Sequence, residues 1–425
     1  MKLTIHMRIP VFIWMITFGL LFTINAFAES PAADGFASMN ILGQNGTTGG
    51  ANGDTVTVTN TTDFLRYIDL DDPVIIRVDG TITINDMYKV NSNKTIIGVA
   101  DHGVIDGGGL NLSNVSNIII QNLSFINSMD DAINVQTESH HIWINHCDFT
   151  GAHDGLVDIK RGSDYITVSW NLFFNHHKTC LLGHSDNNAA QDTGKLRVTY
   201  HHNWFNGTET RHPRVRFSAL CHVYNNYYVD NEYAVASTMG ADVLVESNYF
   251  ESVEEPTHVG YAASEPGDLL ERNNVYHNCG AEPEAAGDVI EPPYDYVPND
   301  AAEIPEIVSA GAGRAGFGKE TSTSIQPHCL ASPAQFSLEQ NFPNPFNPQT
   351  VIPFQLTKDT MVEISIYNLS GQKIRTLVNE FTIAGSYVTI WDARDNHGHI
   401  VSSGTYFYRM TADGHMLSRT LTLVK

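Results

Sequence analysis

At 425 residues the chain is too long for one ordinary hydrophobic core and predicts two domains plus processing segments. Its formal charge of −23, from 24 Lys/Arg against 47 Asp/Glu, argues against nucleic acid as a partner, because phosphates would be repelled. Any other polyanionic ligand then needs a local positive cleft or a bound cation, with salt screening part of the long-range field.

Lys2 and Arg8 precede an apolar run from Ile9 to Ile24, and Ala26-Phe27-Ala28 forms an A-x-A cleavage site, so residues 1–28 are expected to be a removable signal peptide. Pro10, Thr17, Thr23 and Asn25 interrupt the run and weaken the alternative of a membrane anchor, which needs about 20 apolar residues. No later stretch is apolar enough to span a bilayer. Cys147, Cys180, Cys221, Cys279 and Cys329 are too few and too scattered for a disulfide scaffold, and their spacing does not suggest zinc. The first three lie inside strand-like runs and are expected to be buried thiols.

Residues 37–110 carry short β-branched runs at 74–78, 94–98 and 103–109 that read as the first coils of a stack. A longer repeat follows. Runs of strand formers end again and again in a short polar pair and an aromatic, at Phe125, Phe149, Phe173, Phe205, Tyr228, Phe250 and Tyr276. The separations are 24, 24, 32, 23, 22 and 26 residues, one coil each with a single insertion. Each unit is strand and turn without helix, and strands that recur once per coil stack in parallel about 4.8 Å apart. The expected fold is all-β, a right-handed single-stranded parallel β-helix. Asn171, Asn203, Asn226, Asn248 and Asn274 recur two residues before the aromatic and are expected to form a hydrogen-bonded amide ladder inside the turns, a structural role. Past Tyr276 the strand signal fades. Residues 281–320 read as an irregular segment packed along the helix and 321–334 as a linker, bounding a β-helical domain at 29–320.

Residues 335–425 have balanced charge, seven Lys/Arg and seven Asp/Glu. After Asn341-Phe-Pro-Asn-Pro-Phe-Asn-Pro348 come alternating runs at 362–367, 373–378, 387–391, 404–410 and 418–424, spaced as in a small immunoglobulin-like β-sandwich. This region resembles the C-terminal sorting domains of type IX secretion cargo. The resemblance implies contact with the secretion machinery and a secreted, extracellular or surface-attached protein, with a passive carbohydrate-binding module as the alternative.

The segments Asp131-Ala-Ile, Trp143-Ile-Asn-His146, Asp154-Gly-Leu-Val-Asp158-Ile-Lys-Arg-Gly-Ser163, Lys178-Thr-Cys-Leu-Leu-Gly-His-Ser-Asp186 and Arg211-His-Pro-Arg-Val-Arg216-Phe resemble polysaccharide lyase family 1, the pectate lyases. Two positions depart from the family pattern, Asn145 where Asp is usual and Ser218 where Gly is usual; both are expected to touch the scaffold near the cleft more than the ligands. Asp131, Asp154 and Asp158 can supply hard oxygen ligands for Ca2+. On a straight strand Asp154 and Asp158 would stand about 13 Å apart, too far to share an ion, so the chain must bend, and Gly155 is the expected place.

Lys178, Arg211 and Arg216 are the expected positive side of the cleft, and Pro213 interrupts any regular ladder between the two arginines. The resemblance assigns Arg211 as the base that takes the C5 proton of a galacturonate, with Lys178 and Arg216 holding uronate carboxylates. Arginine is normally held protonated, and crowding by other cations works against that charge. Arg214 is expected to be structural. The implied reaction is calcium-dependent β-elimination of polygalacturonate to 4,5-unsaturated products by a monomeric enzyme.

The histidine pairs His140-His141, His176-His177 and His201-His202 are each expected to split between core and surface, because neighbours on a strand face opposite ways. Three rival readings differ in what they need. A pectin lyase, acting on methyl-esterified chains without metal, is expected to lose the acidic ligands. A β-helical glycoside hydrolase needs paired carboxylates flanking the scissile bond. A non-catalytic surface adhesin leaves the Lys/Arg constellation without a reason.

Overall fold

The computed structural model describes residues 32–317 and 336–424, except 339, 342–343, 347–349, 359, 383–384, 392 and 397–398. The expected signal peptide, the linker 321–334 and Cys329 lie outside the described residues. Residues 54–277 wind into a right-handed parallel β-helix whose coils feed three parallel sheets of ten, nine and eight strands. One coil runs Ser116–Gln121 in the first sheet, Ser124–Ile126 in the second and Ile133–Gln136 in the third, and the next repeats this at His140–Asn145, Asp148–Thr150 and Val157–Ile159.

Between the first and second sheets the turn takes one residue in the left-handed region: Asn122, His146, Trp170, His202, Asn225, Ser247 and Asn273 have φ of 50–57°. The residue that follows points inward, and in five coils it is the ladder asparagine. Asn171 donates through its backbone N and its Nδ2 to Asn203 Oδ1, both at 3.0 Å, and the same pair of bonds links Asn203 to Asn226, Asn226 to Asn248 and Asn248 to Asn274. The Nδ2 groups of Asn171 and Asn203 also donate to Ile144 O and Val168 O, so the buried bend leaves few amide groups unmatched. Beside the ladder, Phe125, Phe149, Phe173, Phe205, Tyr228, Phe250 and Tyr276 form one continuous stack with ring centroids 4.6–5.0 Å apart. That separation matches the strand spacing, so the rings and the backbone enforce the same register.

Two features differ from the sequence expectation, and the single expected insertion is located. The coil region is not free of helix: Thr61–Ile68 is an α-helix, capped by Asn60 accepting from Asp63 N, and it buries Phe64 and Ile68 against the first coils, where the apolar interior would otherwise open to water. The long coil between Phe173 and Phe205 places its insertion at 183–197, including the short helix Ala189–Asp192. The histidine pairs do not split uniformly, since His201 and His202 are both buried. His141 and His202 have φ of 56° and 53°, which breaks strand alternation. The outer face of the first sheet is also covered: Phe36 N and Ala37 N donate to Thr199 and Thr167, and Asn299 meets His202 Nε2 at 2.9 Å.

Cys147, Cys180 and Cys221 are buried free thiols and Cys279 is half-buried and free. Residues 281–300 run without strand, and the helix Ile304–Gly311 lays Ile304 and Val308 on Trp204, Tyr227 and Tyr249. Beyond residue 336 two antiparallel sheets, of three and four strands, share a core that includes Ile352, Phe354, Ile364, Trp391, Tyr408 and Leu421. This sandwich contains two strands beyond those read from sequence, Ser337–Leu338 and Thr350–Leu356. Asn341 of the Asn/Pro-rich opening donates through its backbone N to Tyr408 Oη and through Nδ2 to Thr350 Oγ1, each at 2.9 Å. No helix among the described residues is long and apolar enough to cross a membrane.

Replacing Asn203 by Ala strips partners from Asn171 and Asn226 inside the turn. We expect a loss of about 3 kcal/mol in chemical denaturation, with the strand spectrum of the folded state retained. A change below about 0.5 kcal/mol would show that the ladder is incidental to stability.

Candidate active site

The chain enters the third sheet by a loop in every coil, and four successive loops carry the charged residues. Asp130 and Asp131 precede Ile133–Gln136, Asp154 and Gly155 precede Val157–Ile159, Lys178 precedes Cys180–Leu182, and Arg211 precedes Arg214–Arg216. These strands pair in that order, so the charged residues form a row about 14 Å long, parallel to the helix axis. Backbone bonds stitch the loops together: Asp154 N to Asp130 O at 3.3 Å, Thr210 N to His177 O at 2.9 Å and Cys180 N to Arg211 O at 2.7 Å. Arg211 has φ of 68°, a conformation that a non-glycine residue adopts at a cost and that is met often where a side chain must be aimed.

The acidic end and the basic end meet at Asp154. Lys178 Nζ donates to Asp154 Oδ1 at 2.9 Å, and an Arg211 guanidinium nitrogen lies 4.0 Å from the same oxygen. Asp130, Asp131 and Asp154 present oxygens within 4.8 Å of one another. Asp158 stands one step back, buried beside Asp131. A Cβ on residue 155 would fall 2.2 Å from Asp158 Oδ1 and 3.0 Å from Asp131 Oδ1, so only glycine leaves room for both carboxyls. Gly155 N also donates to Asp131 Oδ1 at 2.9 Å. Gly155 is thus a place of close approach, and the chain bends on either side of it, at 153–154 and 156.

These environments push the three carboxyls apart. Burial raises Asp158 to about 8, reinforced by the charge of Asp131. Burial likewise raises Asp131, against the opposing pull of Lys160 and of the Gly155 N–H. Partial burial of Asp154 is outweighed by the Lys178 hydrogen bond and by the charges of Lys178, Arg211 and Lys160, which hold it below the usual carboxylate range. Four carboxyls, Asp130, Asp131, Asp154 and Asp158, thus crowd one end of the row, with Lys160 at 3.4 Å from Asp131 and Lys178 at 2.9 Å from Asp154. Oxygen donors in excess of their cations are the donor set a hard divalent cation requires.

Of the expected site residues, Asp131, Asp154, Asp158, Lys178 and Arg211 come together. Arg216 lies on the same outer face, since Val215 between it and Arg214 points into the core, but its guanidinium is already engaged. Its Nε donates to Asp186 Oδ1 at 2.6 Å and a terminal nitrogen donates to Gly183 O at 2.9 Å. Arg214 stacks over Tyr261 at 4.9 Å and donates to Ser264 Oγ at 2.9 Å, in keeping with a structural part. Asn145 touches the scaffold as expected, but within the first sheet and not beside the row, donating to Ser169 Oγ at 2.9 Å. Ser218 donates to Leu196 O at 2.7 Å.

Four participants were not singled out from sequence. Lys160 was within reach, because a residue two along from Asp158 shares its face. Asp130 sits in a loop where alternation gives no guide. His176, whose Nε2 meets Asp154 O at 2.8 Å, and Asp186 act from other coils, thirty residues separating Asp186 from Arg216.

A family model described as pectate lyase matches residues 10–275, and one described as a secretion system C-terminal sorting domain matches residues 340–424. Pectate lyase A of Aspergillus niger is 38% identical over 299 residues, covering 67% of this chain and 88% of that protein. The chain belongs to the pectate lyase family. A pectate trisaccharide-lyase of Bacillus licheniformis is 34% identical over 317 residues, 68% of this chain and 89% of its own. Among solved structures, a pectate lyase of a Bacillus species in complex with trigalacturonate superimposes with a TM-score of 0.61 at 35% identity, over 66% of this chain and 98% of that one. This pectate lyase is thus a polysaccharide lyase, and its sorting domain makes it a secreted or surface-attached one.

Gly155→Ala is expected to lower the lyase rate on polygalacturonate about 100-fold, because the added methyl must displace the Asp158 or Asp131 carboxyl by an ångström or more. A rate within twofold of the parent enzyme would mean that this close approach does not set the geometry of the site.

Proposed function

We propose that this lyase cleaves α-1,4-linked polygalacturonate by calcium-dependent β-elimination and releases 4,5-unsaturated oligogalacturonides. The observation that carries the reading is the graded row, carboxyls at Asp131, Asp154 and Asp158 giving way within three coils to Lys178 and Arg211. A polymer bearing one carboxylate per sugar fits a site in which acidic ligands and basic side chains lie side by side along one line. The trigalacturonate bound by the Bacillus neighbour supports the same substrate class.

Asp131, Asp154 and Asp158, with Asp130 beside them, would hold the Ca2+. When bound, it supplies charge neutralisation for the uronate carboxylate, which acidifies the C5 proton. Arg211 is the base: its neutral guanidine form takes the C5 proton and becomes guanidinium, while the C5–H electron pair forms the C4–C5 double bond and the C4–O bond breaks. The departing oxygen takes its proton from solvent, and no water is added across the bond. Lys178 holds a substrate carboxylate and, through Asp154, keeps the row aligned. Arg216 holds a neighbouring carboxylate with the donor edge that Asp186 and Gly183 leave free.

The domain plan belongs to the same proposal. Residues 1–28 are a signal peptide, 29–320 the catalytic domain, 321–334 a linker, and 335–425 the sorting domain that engages the type IX secretion machinery; the enzyme acts as a monomer.

The test is the ultraviolet absorbance of the unsaturated product formed from polygalacturonate. Complete chelation is expected to reduce the rate at least about 100-fold with recovery on adding Ca2+, and Arg211→Ala to reduce it about 1,000-fold. Full activity after chelation would remove the metal from the reaction, and full turnover by Arg211→Ala would remove the assigned base.

A further inference from the structure

The outer face of the third sheet continues past the arginines. Arg214, Ala236 and His258 are register partners on successive strands. His258 therefore lies about 10 Å beyond Arg214, on the register line that runs from Asp158 through Leu181 and Arg214, while Glu255, the partner of Tyr233, lies three residues before it on the same strand, toward the side on which Arg211 enters. A cavity of about 630 Å³ opens there, lined among others by Glu255, His258, Tyr261, Ser264 and Glu284. It joins the cleft through shared residues: Arg214 stacks on Tyr261 and bonds Ser264, and Ser264 Oγ donates at 2.8 Å to Asp186, the carboxylate that holds Arg216.

The chemistry of this cavity is opposite to that of the cleft. No lysine or arginine is among the described residues that line it. His258 sits between two carboxylates, 2.7 Å from Glu255 and 3.7 Å from Glu284, so the lining is net negative whatever the charge on the imidazole. Val259 N donates to Glu284 at 2.8 Å and fixes that carboxylate at the wall. An ionised uronate entering here meets the Glu255 and Glu284 carboxylates, while Arg214, which packs against Tyr261, is already engaged by Ser264. A sugar whose carboxyl is masked as an ester keeps hydroxyls that these carboxylates can accept from, and an apolar ring face that Tyr261 can pack against.

We infer that this cavity is a subsite for an uncharged sugar residue of the substrate chain, a methyl-esterified galacturonate, and that it makes the enzyme favour partly esterified pectin over fully de-esterified polygalacturonate. The inference rests on the lyase reading given above. Its test compares kcat/KM on the two polymers for the full-length enzyme and for Glu255→Gln/Glu284→Gln, read as unsaturated product. The parent enzyme is expected to favour partly esterified pectin, and the double substitution to lower that preference about fivefold, chiefly through a smaller KM for polygalacturonate. Should the double variant fail to fold, Glu284→Gln alone, on the segment 281–300, is expected to shift the ratio about twofold. A parent enzyme that favours polygalacturonate, or a ratio that the folded variants leave unchanged, overturns the inference. Absence of unsaturated product from both polymers instead refutes the lyase reading itself.

Discussion

Strand pairing at one residue per coil, held by the amide ladder and the aromatic stack, is the constraint on which the site depends. Asp131, Gly155 and Lys178 are separated by 24 and 23 positions in the chain, and Arg211 by 33 more, yet each arrives at the entrance to the same sheet. A slip of one residue in any coil would turn its side chain from the outer face to the core. Ladder and rings oppose that slip from the far side of the coil, since an Asn or Phe out of place loses partners above and below at once. The rigidity that a solenoid needs to stack is the same rigidity that holds Arg211 and Lys178 beside a row of carboxyls.

Within that frame Asp154 is the junction. It belongs to the acidic group that surrounds the close approach at Gly155, and it is also the partner of Lys178 and the nearest acid to Arg211. Its lowered pKa and the raised values of Asp131 and Asp158 have one origin: the carboxyl that faces the bases stays charged, while those behind it are desolvated and repel one another.

Much of the fold was legible because its signals repeat. The aromatic period announced the coils, and the asparagine two residues before each aromatic announced the ladder, bond for bond from Asn171 to Asn274. What could not be read came from single, unrepeated events. The helix Thr61–Ile68 occurs once, in a region of short runs, and the N-cap at Asn60 is a weak signal alone. The burial of both His201 and His202 depends on a cover from residues near 36 and 299, which no local pattern encodes. At the site, Asp131, Asp154, Asp158, Lys178 and Arg211, named from the segments that carry the family resemblance, lie together, whereas Asp130 and Asp186 are placed by loops whose path only the coordinates give. Asn145 touches the scaffold as expected but sits in the first sheet, because neighbouring motif residues in a β-helix can belong to different sheets.

The central claim is that the acidic and basic ends of the row grip one uronate chain together. A crystal structure of Arg211→Ala with Ca2+ and trigalacturonate tests it directly. The ion is expected among Asp131, Asp154 and Asp158, with a sugar carboxylate against Lys178 and a C5–H facing the emptied position 211. Sugar bound on another face, or an ion held away from these three carboxyls, would contradict it.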